Sequence, residues 1–315
     1  MTSGGSVAAR AAPRGGAVSR SITVTAWAKV NYTLDVLSRR PDGFHNLASV
    51  MQTVSLGDRI SVERAGAAGI TLECDDPGLP ADESNLAWRA ARAALGAAGV
   101  DAGLHIRLEK RIPVQAGLGG GSTDAAAVLR ATDRLLGLGL GSLRLADIAA
   151  SLGSDIPFFL TGGTAVVRGR GEAVAPLPDG PALWFVIVKP EVSVSTARAY
   201  AALDALPDRV SARATRRMEE ALREGDADRV VARMANDFEA AVTEHPGIVA
   251  LMDDLLMARA RNARLCGSGS AVFGVAMGRA EAEEIARIAR LKHARVHVCR
   301  AISRAESVAM EEAAE

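Results

Sequence analysis

Strict alternation of apolar and polar residues marks the first long patterned segment of the chain, from Ile22 to Val36. Every second position is apolar here, and the positions between them are polar except for Trp27. Because successive side chains of a strand point to opposite faces, this period of two predicts one long half-buried strand, or two in succession. Lys29 and Asn31 fall on its polar face.

Beyond this segment, the hydrophobic spacing changes irregularly between the strand period and the helix period. It predicts strands at 50–62, with a turn at Gly57-Asp58, and at 70–73, 104–108, 164–168, 183–188, 263–266, 272–276 and 294–299. It predicts helices at 85–98, 122–136, 143–152, 196–203, 210–223, 227–242, 248–261 and 279–291. This mixture, without a regular βαβ series, is typical of an α+β fold.

Two segments of biased composition divide the chain. Residues 1–20 are rich in Ala, Gly, Ser and Arg and contain no acid, and we interpret them as a disordered extension. Residues 169–181 are rich in Gly and Pro. They predict a boundary between a first domain at 21–180 and a second domain at 181–315.

Charge and cysteine content exclude several classes of function. The 315 residues include 37 basic and 37 acidic side chains, so there is no net basic charge to attract nucleic acid or an anionic membrane. The three cysteines are scattered, which matches neither a disulfide framework nor a zinc site and favours a reducing cytoplasm. The sequence contains no apolar run of the about 20 residues that a membrane-spanning helix needs.

A glycine-rich loop at 113–126 carries the strongest chemical signal. Four of the five residues at 117–121 are glycine, which permits positive φ and leaves no Cβ to block a ligand. An alanine-rich helix start follows, and the N–H groups and dipole of a helix N-terminus favour a phosphate. The predicted phosphate-binding residues are Pro113, Val114, Gln115, Ala116, Gly117, Leu118, Gly119, Gly120, Gly121, Ser122 and Thr123.

This loop fits neither of two common phosphate-binding motifs. A Walker A loop needs a lysine directly after its glycines, and none follows here. The dinucleotide motif needs a third glycine where this chain has Ser122. A flexible strand-to-helix connection is the alternative that the glycines alone leave open.

Taken as a whole, Pro-x-x-x-Gly-Leu-Gly-Gly-Gly-Ser-x-x-Ala-Ala resembles the ATP-binding motif of the GHMP kinases, which include galactokinase, homoserine kinase and mevalonate kinase. Other segments resemble one branch of that family, the diphosphocytidyl-methylerythritol kinases of the non-mevalonate isoprenoid route. Segment 27–31 resembles Pro-Ala-Lys-x-Asn, with Trp27 in place of proline. Segment 40–47 resembles Arg-x-Asp-Gly-Tyr-His-x-Leu, with Phe44 in place of tyrosine.

Four further segments match the same branch in the same order. Residues 153–159 resemble Gly-Ala-Asp-Val-Pro-Phe-Phe, the segment of the catalytic aspartate, and residues 267–269 resemble the C-terminal Gly-Ser-Gly motif. Residues 190–200 and 236–239 resemble Pro-x-x-x-Val-x-Thr with a downstream aromatic and Asn-Asp-Leu-Glu. Taken singly, Lys29 could be a solvated strand residue, His45 a turn residue, Asp155 a helix cap and 267–270 a plain hairpin turn.

The resemblance implies a two-domain GHMP kinase fold, with a ribosomal-S5-like N-terminal domain and a ferredoxin-like C-terminal domain. It implies transfer of phosphate from ATP, with Mg²⁺, to the 2-hydroxyl of 4-diphosphocytidyl-2-C-methyl-D-erythritol. Lys29 and Asp155 would be catalytic, and metal ligands beyond Ser122 stay open. The implied substrate contacts are Asn31, His45 and Thr196, with Phe44 and Tyr200 flanking the cytosine ring. Asn85 and residues 110–112 would lie on the nucleotide side.

Three rival hypotheses remain at this stage. One is a GHMP kinase for another alcohol, such as homoserine or a mevalonate-type compound. The second is a non-catalytic ligand-binding protein on the same scaffold, against which the presence of both Lys29 and Asp155 argues. The third is an RNA-binding protein, which the balanced charge disfavours. We expect a cytoplasmic monomer or homodimer that acts on a small molecule, without nucleic acid or membrane partners.

Overall fold

The computed structural model describes residues 20–206, 211, 213–242 and 245–313, so the predicted extension at 1–20 lies, except for Arg20, outside the described residues. The strands are β1 (Ser21–Arg39), β2 (His45–Ala65), β3 (Gly69–Cys74), β4 (Gly103–Glu109), β5 (Thr164–Gly169), β6 (Ala173–Pro176), β7 (Trp184–Val188), β8 (Ala235–Asn236), β9 (Ala263–Leu265), β10 (Val272–Ala276), β11 (Val296–Arg300) and β12 (Glu311–Ala313). The helices are α1 (Leu86–Ala98), α2 (Gly120–Leu136), α3 (Gly141–Leu152), α4 (Ile156–Thr161), α5 (Thr196–Asp204), α6 (Thr215–Glu224), α7 (Ala227–Ala232), α8 (Pro246–Met257), α9 (Arg279–Ala289) and α10 (Arg304–Ser307). A 3-10 turn spans Asp237–Ala240.

The strands form two sheets, which confirms the α+β fold class. The first sheet has the order β12-β1-β2-β4-β3, with β5 on β2, β6 on β5 and β8 on β1. The second has the order β11-β7-β10-β9, and all its neighbours are antiparallel. Along the chain, helices lie between β7 and β9 and between β10 and β11. This is the ferredoxin-like arrangement that the family resemblance implies for the C-terminal domain.

The alternating segment forms one strand, β1, of 19 residues, and its partner β2 has 21. The predicted turn at Gly57-Asp58 is wrong, because β2 runs through both residues. Gly57 lies opposite Trp27, and a Cβ there would stand 2.7 Å from Cε3 of that indole. The glycine therefore makes room for a large cross-strand neighbour, and it does not reverse the chain.

Two helix predictions change in the region between the sheets. The helix predicted at 227–242 ends at Ala232, because Ala235 and Asn236 instead pair with β1 as strand β8. The helix predicted at 210–223 begins at Thr215, and its predicted start at Val210 lies outside the described residues. The Asp35 carboxylate of β1 accepts from the backbone N–H of Thr215 at 2.9 Å, so a distant residue fixes this helix start.

The predicted boundary segment contains a short strand that the sequence analysis missed. Strand β6 pairs with β5 and so belongs to the first sheet, whereas the second sheet begins with β7 at Trp184. Strands β8 and β12, both beyond residue 180, also pair with β1. A division of the chain at residue 180 stays a prediction.

Helices α1 and α2 pack against the first sheet and thereby position the glycine loop. Helix α1 buries a stripe of alanines, which lets the neighbouring backbones approach closely. Helix α2 buries Val128 and Leu129 in the same core as Ile60 and Leu104 of the sheet. Full burial of a side chain such as Leu129 stabilises the fold by about 1.5–3 kcal/mol, so the start of α2 is held firmly. Among the described residues, no helix has the length and apolar character needed to cross a bilayer.

Candidate active site

The glycine loop ends at an uncapped helix start. Gly119 precedes α2 with φ 76°, a left-handed conformation that glycine adopts without strain. Gly119 has no side chain to cap the first turn of α2, whereas Asn85 caps α1 by accepting from the N–H of Ala87 at 2.9 Å. Without such a cap, the N–H groups of the first turn of α2 suit an anionic ligand.

A second loop, at 266–271, packs directly under the glycine loop. Gly117 has φ 76°, and a Cβ on it would stand 1.8 Å from the carbonyl oxygen of Cys266. The N–H of Ala271 donates to the carbonyl of Ala116 at 3.3 Å, and Asn236 Nδ2 donates to the carbonyl of Gly267 at 2.8 Å. These contacts join the two predicted glycine motifs, which lie far apart in sequence, into one wall.

Lys29 lies on β1 beside this wall and is 3 % exposed. Its Nζ donates to Asn31 Oδ1 at 2.7 Å, and Asn31 Nδ2 donates to Ser49 Oγ at 2.8 Å. Both ends of the Asn31 amide are therefore engaged within the protein, so this predicted substrate contact also holds the lysine in place. A Cβ on Gly267 would stand 3.1 Å from Nζ, which shows how closely the second loop approaches the ammonium.

Asp155 lies at the start of the short helix α4, a segment that the sequence analysis left without an element. Its side chain is half-buried and caps no backbone N–H of that helix, so it is not the plain helix cap considered above. Burial lowers the pKa of Lys29 below its ordinary value, and the nearby Asp155 carboxylate opposes part of that shift. The lysine donates to Asn31, and no ion pair between Lys29 and Asp155 occurs among the described residues.

Lys110 forms a buried ion cluster beneath the glycine loop with Asp58 and Asp124, two residues that the sequence analysis missed. Its Nζ donates to Oδ2 of Asp124 at 2.5 Å and to the carboxylate of Asp58. Burial works to lower the pKa of Lys110, but the two carboxylates outweigh it and raise that pKa above its ordinary value. A Cβ on Gly120 would stand 3.7 Å from this ammonium. The cluster therefore supports the loop from below.

The two carboxylates of this cluster have different tasks. Asp58 Oδ1 accepts from the backbone N–H groups of Arg111 and Ile112, at 2.5 Å and 2.8 Å, and so fixes the entry to the loop. Asp124 has one oxygen, Oδ1, that is buried without a hydrogen-bond partner. Burial raises the pKa of Asp124 to about 7, with Lys110 opposing the shift and Asp58 adding to it.

A cavity of about 630 Å³ opens between these elements. Its wall brings together Lys29, Asn31, Asp155 and the residues at 113–122, with Thr196, Tyr200 and Ser268 on the side of the second domain. Asn85, Lys110 and Ile112, expected on the nucleotide side, also line it. Four predicted residues do not line it: Phe44, His45, Arg111 and Thr123. Thr123 is buried within α2, 3 % exposed.

Of the two predicted base-binding aromatics, Tyr200 lies on the wall of this cavity and Phe44 does not. The Tyr200 ring stacks on the His45 ring, with centroids 4.8 Å apart and an interplanar angle of 14°, and meets Phe238 edge-on. Phe44 is 53 % exposed, and the guanidinium of Arg170 lies 5.3 Å from its ring centroid. The structure therefore places Tyr200 against His45, whereas Phe44 faces outward.

Two polar contacts complete this group of residues. His45 Nε2 lies 2.8 Å from Asp204 Oδ1, a residue at the last position of α5 that the sequence analysis missed. The hydroxyls of Thr196 and Ser268 lie 3.1 Å apart, which links α5 to the second loop. Helix α5 thus contributes Thr196, Tyr200 and Asp204, one turn apart each, to a single face.

Oxygen donors for a metal ion are sparse in this site. Within the described ranges, no group of three or more His, Cys, Asp or Glu side chains could hold a metal ion alone. The cavity wall offers the Ser122 hydroxyl and the carboxylates of Asp155 and Asp124, the latter already bound by Lys110. That set suits Mg²⁺, which keeps several waters and is usually bound through one or two carboxylates together with substrate phosphates.

Comparison with known proteins gives a consistent result. The family description "GHMP kinases N terminal domain" matches residues 85–163, and "GHMP kinases C terminal" matches residues 218–294. A Geobacter metallireducens protein named 4-diphosphocytidyl-2-C-methyl-D-erythritol kinase is 42 % identical over 269 residues, 85 % of this chain and 94 % of that protein. A protein of the same name from Symbiobacterium thermophilum is 47 % identical over 249 residues, 79 % of this chain and 88 % of its own.

Solved structures resemble the whole fold. A crystal structure of 4-(cytidine 5'-diphospho)-2C-methyl-D-erythritol kinase superimposes with a TM-score of 0.76 and 36 % identity, over 88 % of this chain and 98 % of that one. Homoserine kinase from Cytophaga hutchinsonii superimposes with a TM-score of 0.73, over 92 % of this chain and 96 % of its own. Its identity of 22 % supports a shared fold alone.

Proposed function

The chain belongs to the GHMP kinase family, and we propose that it transfers a phosphoryl group from ATP to the 2-hydroxyl of 4-diphosphocytidyl-2-C-methyl-D-erythritol. Relatives that bear the name of this kinase match along most of the chain at more than 40 % identity. The reaction is a step of the non-mevalonate route to isoprenoid precursors. The observation that carries the proposal is one cavity that unites the uncapped start of α2 with Lys29 and Asp155.

Phosphoryl transfer requires mainly positioning and charge stabilisation from the protein. The N–H groups at the start of α2 would hold the ATP phosphates, aided by the dipole of a helix that is 17 residues long. The loop at 266–271 keeps the phosphate-binding loop rigid, because its Cys266 carbonyl fills the space that a side chain at position 117 would occupy. A rigid phosphate-binding loop lowers the entropic cost of aligning the γ-phosphate with the acceptor oxygen.

Asp155 would orient the 2-hydroxyl and accept its proton. A carboxylate is a much weaker base than an alkoxide, so we expect the proton to move late, as the oxygen–phosphorus bond forms. The bond between the γ-phosphorus and the β–γ bridging oxygen breaks in the same step, and ADP leaves. Lys29, held by Asn31, would stabilise negative charge on the acceptor oxygen from a buried position where electrostatic interactions are strong.

We propose that ATP brings Mg²⁺ into the site, where Ser122 and Asp155 would hold it together with phosphate oxygens. The ion would neutralise charge on the phosphates. Our proposal also places the protein in a reducing cytoplasm, since Cys74, Cys266 and Cys299 are all free thiols.

Product identification tests the proposed reaction directly. The protein is incubated with ATP and 4-diphosphocytidyl-2-C-methyl-D-erythritol, and the product is analysed by mass spectrometry and ³¹P NMR. We expect ADP and a singly phosphorylated product with a new phosphate monoester at the 2-position. Homoserine and mevalonate serve as control alcohols. Turnover of either control without turnover of the cytidylyl substrate would contradict the proposal.

A further inference from the structure

We propose that Asp204 is a positioning residue that fixes the tautomer of His45, so that the imidazole presents a hydrogen-bond acceptor to the exocyclic amine of the cytosine base. This inference rests on the proposed function, because it concerns how the cytidylyl substrate is distinguished from a uridylyl one. The observation behind it is the 2.8 Å contact between His45 Nε2 and Asp204 Oδ1.

The contact determines which ring nitrogen carries hydrogen. An ionised carboxylate can only accept hydrogen bonds, so Nε2 must be the donor in this pair. A neutral imidazole carries one ring hydrogen, which leaves Nδ1 with a free lone pair. Among the described residues, no other group forms a hydrogen bond with the His45 ring. In the neutral ring, Nδ1 therefore keeps a lone pair without a partner in the described part of the chain, and the ring adjoins the cavity wall through the stacked Tyr200.

The position of the ring is also fixed. The His45 side chain is 5 % exposed and stacks on Tyr200, which lines the cavity. Its backbone is paired with Arg39 at the end of the β1–β2 hairpin, and Leu47, two residues further along, lines the cavity as well. A ring that is stacked on one face and bonded at Nε2 has little freedom to flip.

Within the described ranges, Asp204 forms no hydrogen bond or ion pair other than the contact with His45. It is the last residue of α5, where the helix dipole disfavours a carboxylate. The Asp204 side chain is about one third exposed, so a neutral residue could occupy the position at little cost in packing. The contact with His45 offsets the unfavourable dipole and supplies the reason for an acid at this position.

The chemistry of the two pyrimidines makes this tautomer selective. Cytosine carries an amine donor at position 4, whereas uracil carries a carbonyl acceptor there. A fixed acceptor at Nδ1 bonds the amine and repels the carbonyl. A site built to hydrogen-bond one group rejects an analogue that lacks it more strongly than an apolar pocket can.

Two measurements on Asp204→Ala and Asp204→Asn test the proposal. The first is the ratio of kcat/KM for the cytidylyl substrate to that for its uridylyl analogue. We expect Asp204→Ala to lower this ratio about 10-fold or more, through a higher KM for the cytidylyl substrate, with KM for ATP unchanged. Asp204→Asn retains an oxygen that can accept from Nε2–H, so an intermediate ratio is expected. Asp253→Ala, which removes the same charge from an exposed position on α8, is the matched control and should leave the ratio unchanged.

The second measurement is ¹⁵N NMR of histidine-labelled protein, with the His45 signals assigned by comparison with His45→Gln. The wild type should show the Nε2–H tautomer, and Asp204→Ala a mixture of both. A wild-type ring protonated at Nδ1 would overturn the proposal. So would a cytidylyl-to-uridylyl ratio of kcat/KM in Asp204→Ala that stays within twofold of the wild-type ratio. If the wild type fails to phosphorylate the cytidylyl substrate, the proposed function fails, and the NMR spectra still decide the tautomer that Asp204 imposes.

Discussion

Lys110 Nζ lies 2.5 Å from Oδ2 of Asp124, in the first turns of the helix whose start faces the cavity. Burial nevertheless raises the pKa of Asp124 from 3.8 to about 7. A group whose pKa is higher in the folded state than in the unfolded state binds its proton more tightly when folded. Its contribution to stability is full below pH 3.8 and is lost as the pH rises through about 7.

Asp124→Asn should therefore change how stability depends on pH. Between pH 5 and pH 8, the wild type should lose on the order of 2 kcal/mol more of its free energy of unfolding than the variant does. Urea denaturation at the two pH values measures this difference. Asp147→Asn, at an exposed position on α3, is the matched control and should behave as the wild type. Parallel pH profiles for wild type and Asp124→Asn would rule out the proposed titration.

Asp155→Asn should separate catalysis from nucleotide binding. The variant keeps the shape of the side chain but cannot accept the proton of the acceptor hydroxyl. We expect kcat to fall at least about 100-fold, while the affinity for ATP measured by calorimetry stays within a few-fold of wild type. Retention of most of the wild-type kcat would remove Asp155 from the catalytic step.

His45→Ala should impair recognition of the acceptor substrate and spare ATP. The variant removes both the predicted base contact and the surface on which Tyr200 stacks. KM for the cytidylyl substrate should rise about 10-fold or more, with KM for ATP nearly constant, in steady-state assays. His105→Ala on β4, away from the cavity wall, should affect neither value. Equal increases in both KM values would argue against base recognition by His45.

Gly117→Ala should destabilise the junction of the two glycine loops. The added Cβ would meet the Cys266 carbonyl oxygen at 1.8 Å, and φ of 76° is unfavourable for alanine. We expect the free energy of unfolding to fall by about 3 kcal/mol or more, because the neighbouring group is backbone and cannot rotate away. Thermal and urea denaturation measure the loss.

Gly96→Ala provides the opposite control. Gly96 lies within α1, and a Cβ there would meet no atom within 4 Å. The substitution should therefore stabilise the protein by about 0.5–1 kcal/mol through the lower conformational entropy of the unfolded chain. A similar effect of both substitutions would contradict the assigned contact at Gly117.

Local patterns in the sequence predicted the strands and helices that are determined by neighbouring residues. The alternation at 22–36 predicted β1, and the helix that follows the glycine run was predicted within two residues of its observed start at Gly120. The placement of Asp58 at a turn was wrong, because β2 continues through it, and its role was missed because its partner Lys110 lies 52 residues away in sequence. Asp204 was missed for the same reason, since 159 residues separate it from His45. Such contacts depend on the tertiary fold and leave no periodic signal.

Strand β1 is paired with segments from distant parts of the chain. Strand β2 follows it directly, whereas β8 and β12 come from beyond residue 230, and Ser21 lies opposite Ala313. During synthesis, β1 and β2 therefore leave the ribosome long before their remaining partners exist. The first sheet can be completed only after the second sheet has been translated. Correct assembly of the phosphate-binding half thus depends on the order of synthesis and on closure of a very long loop, which favours slow folding of the whole chain as one unit.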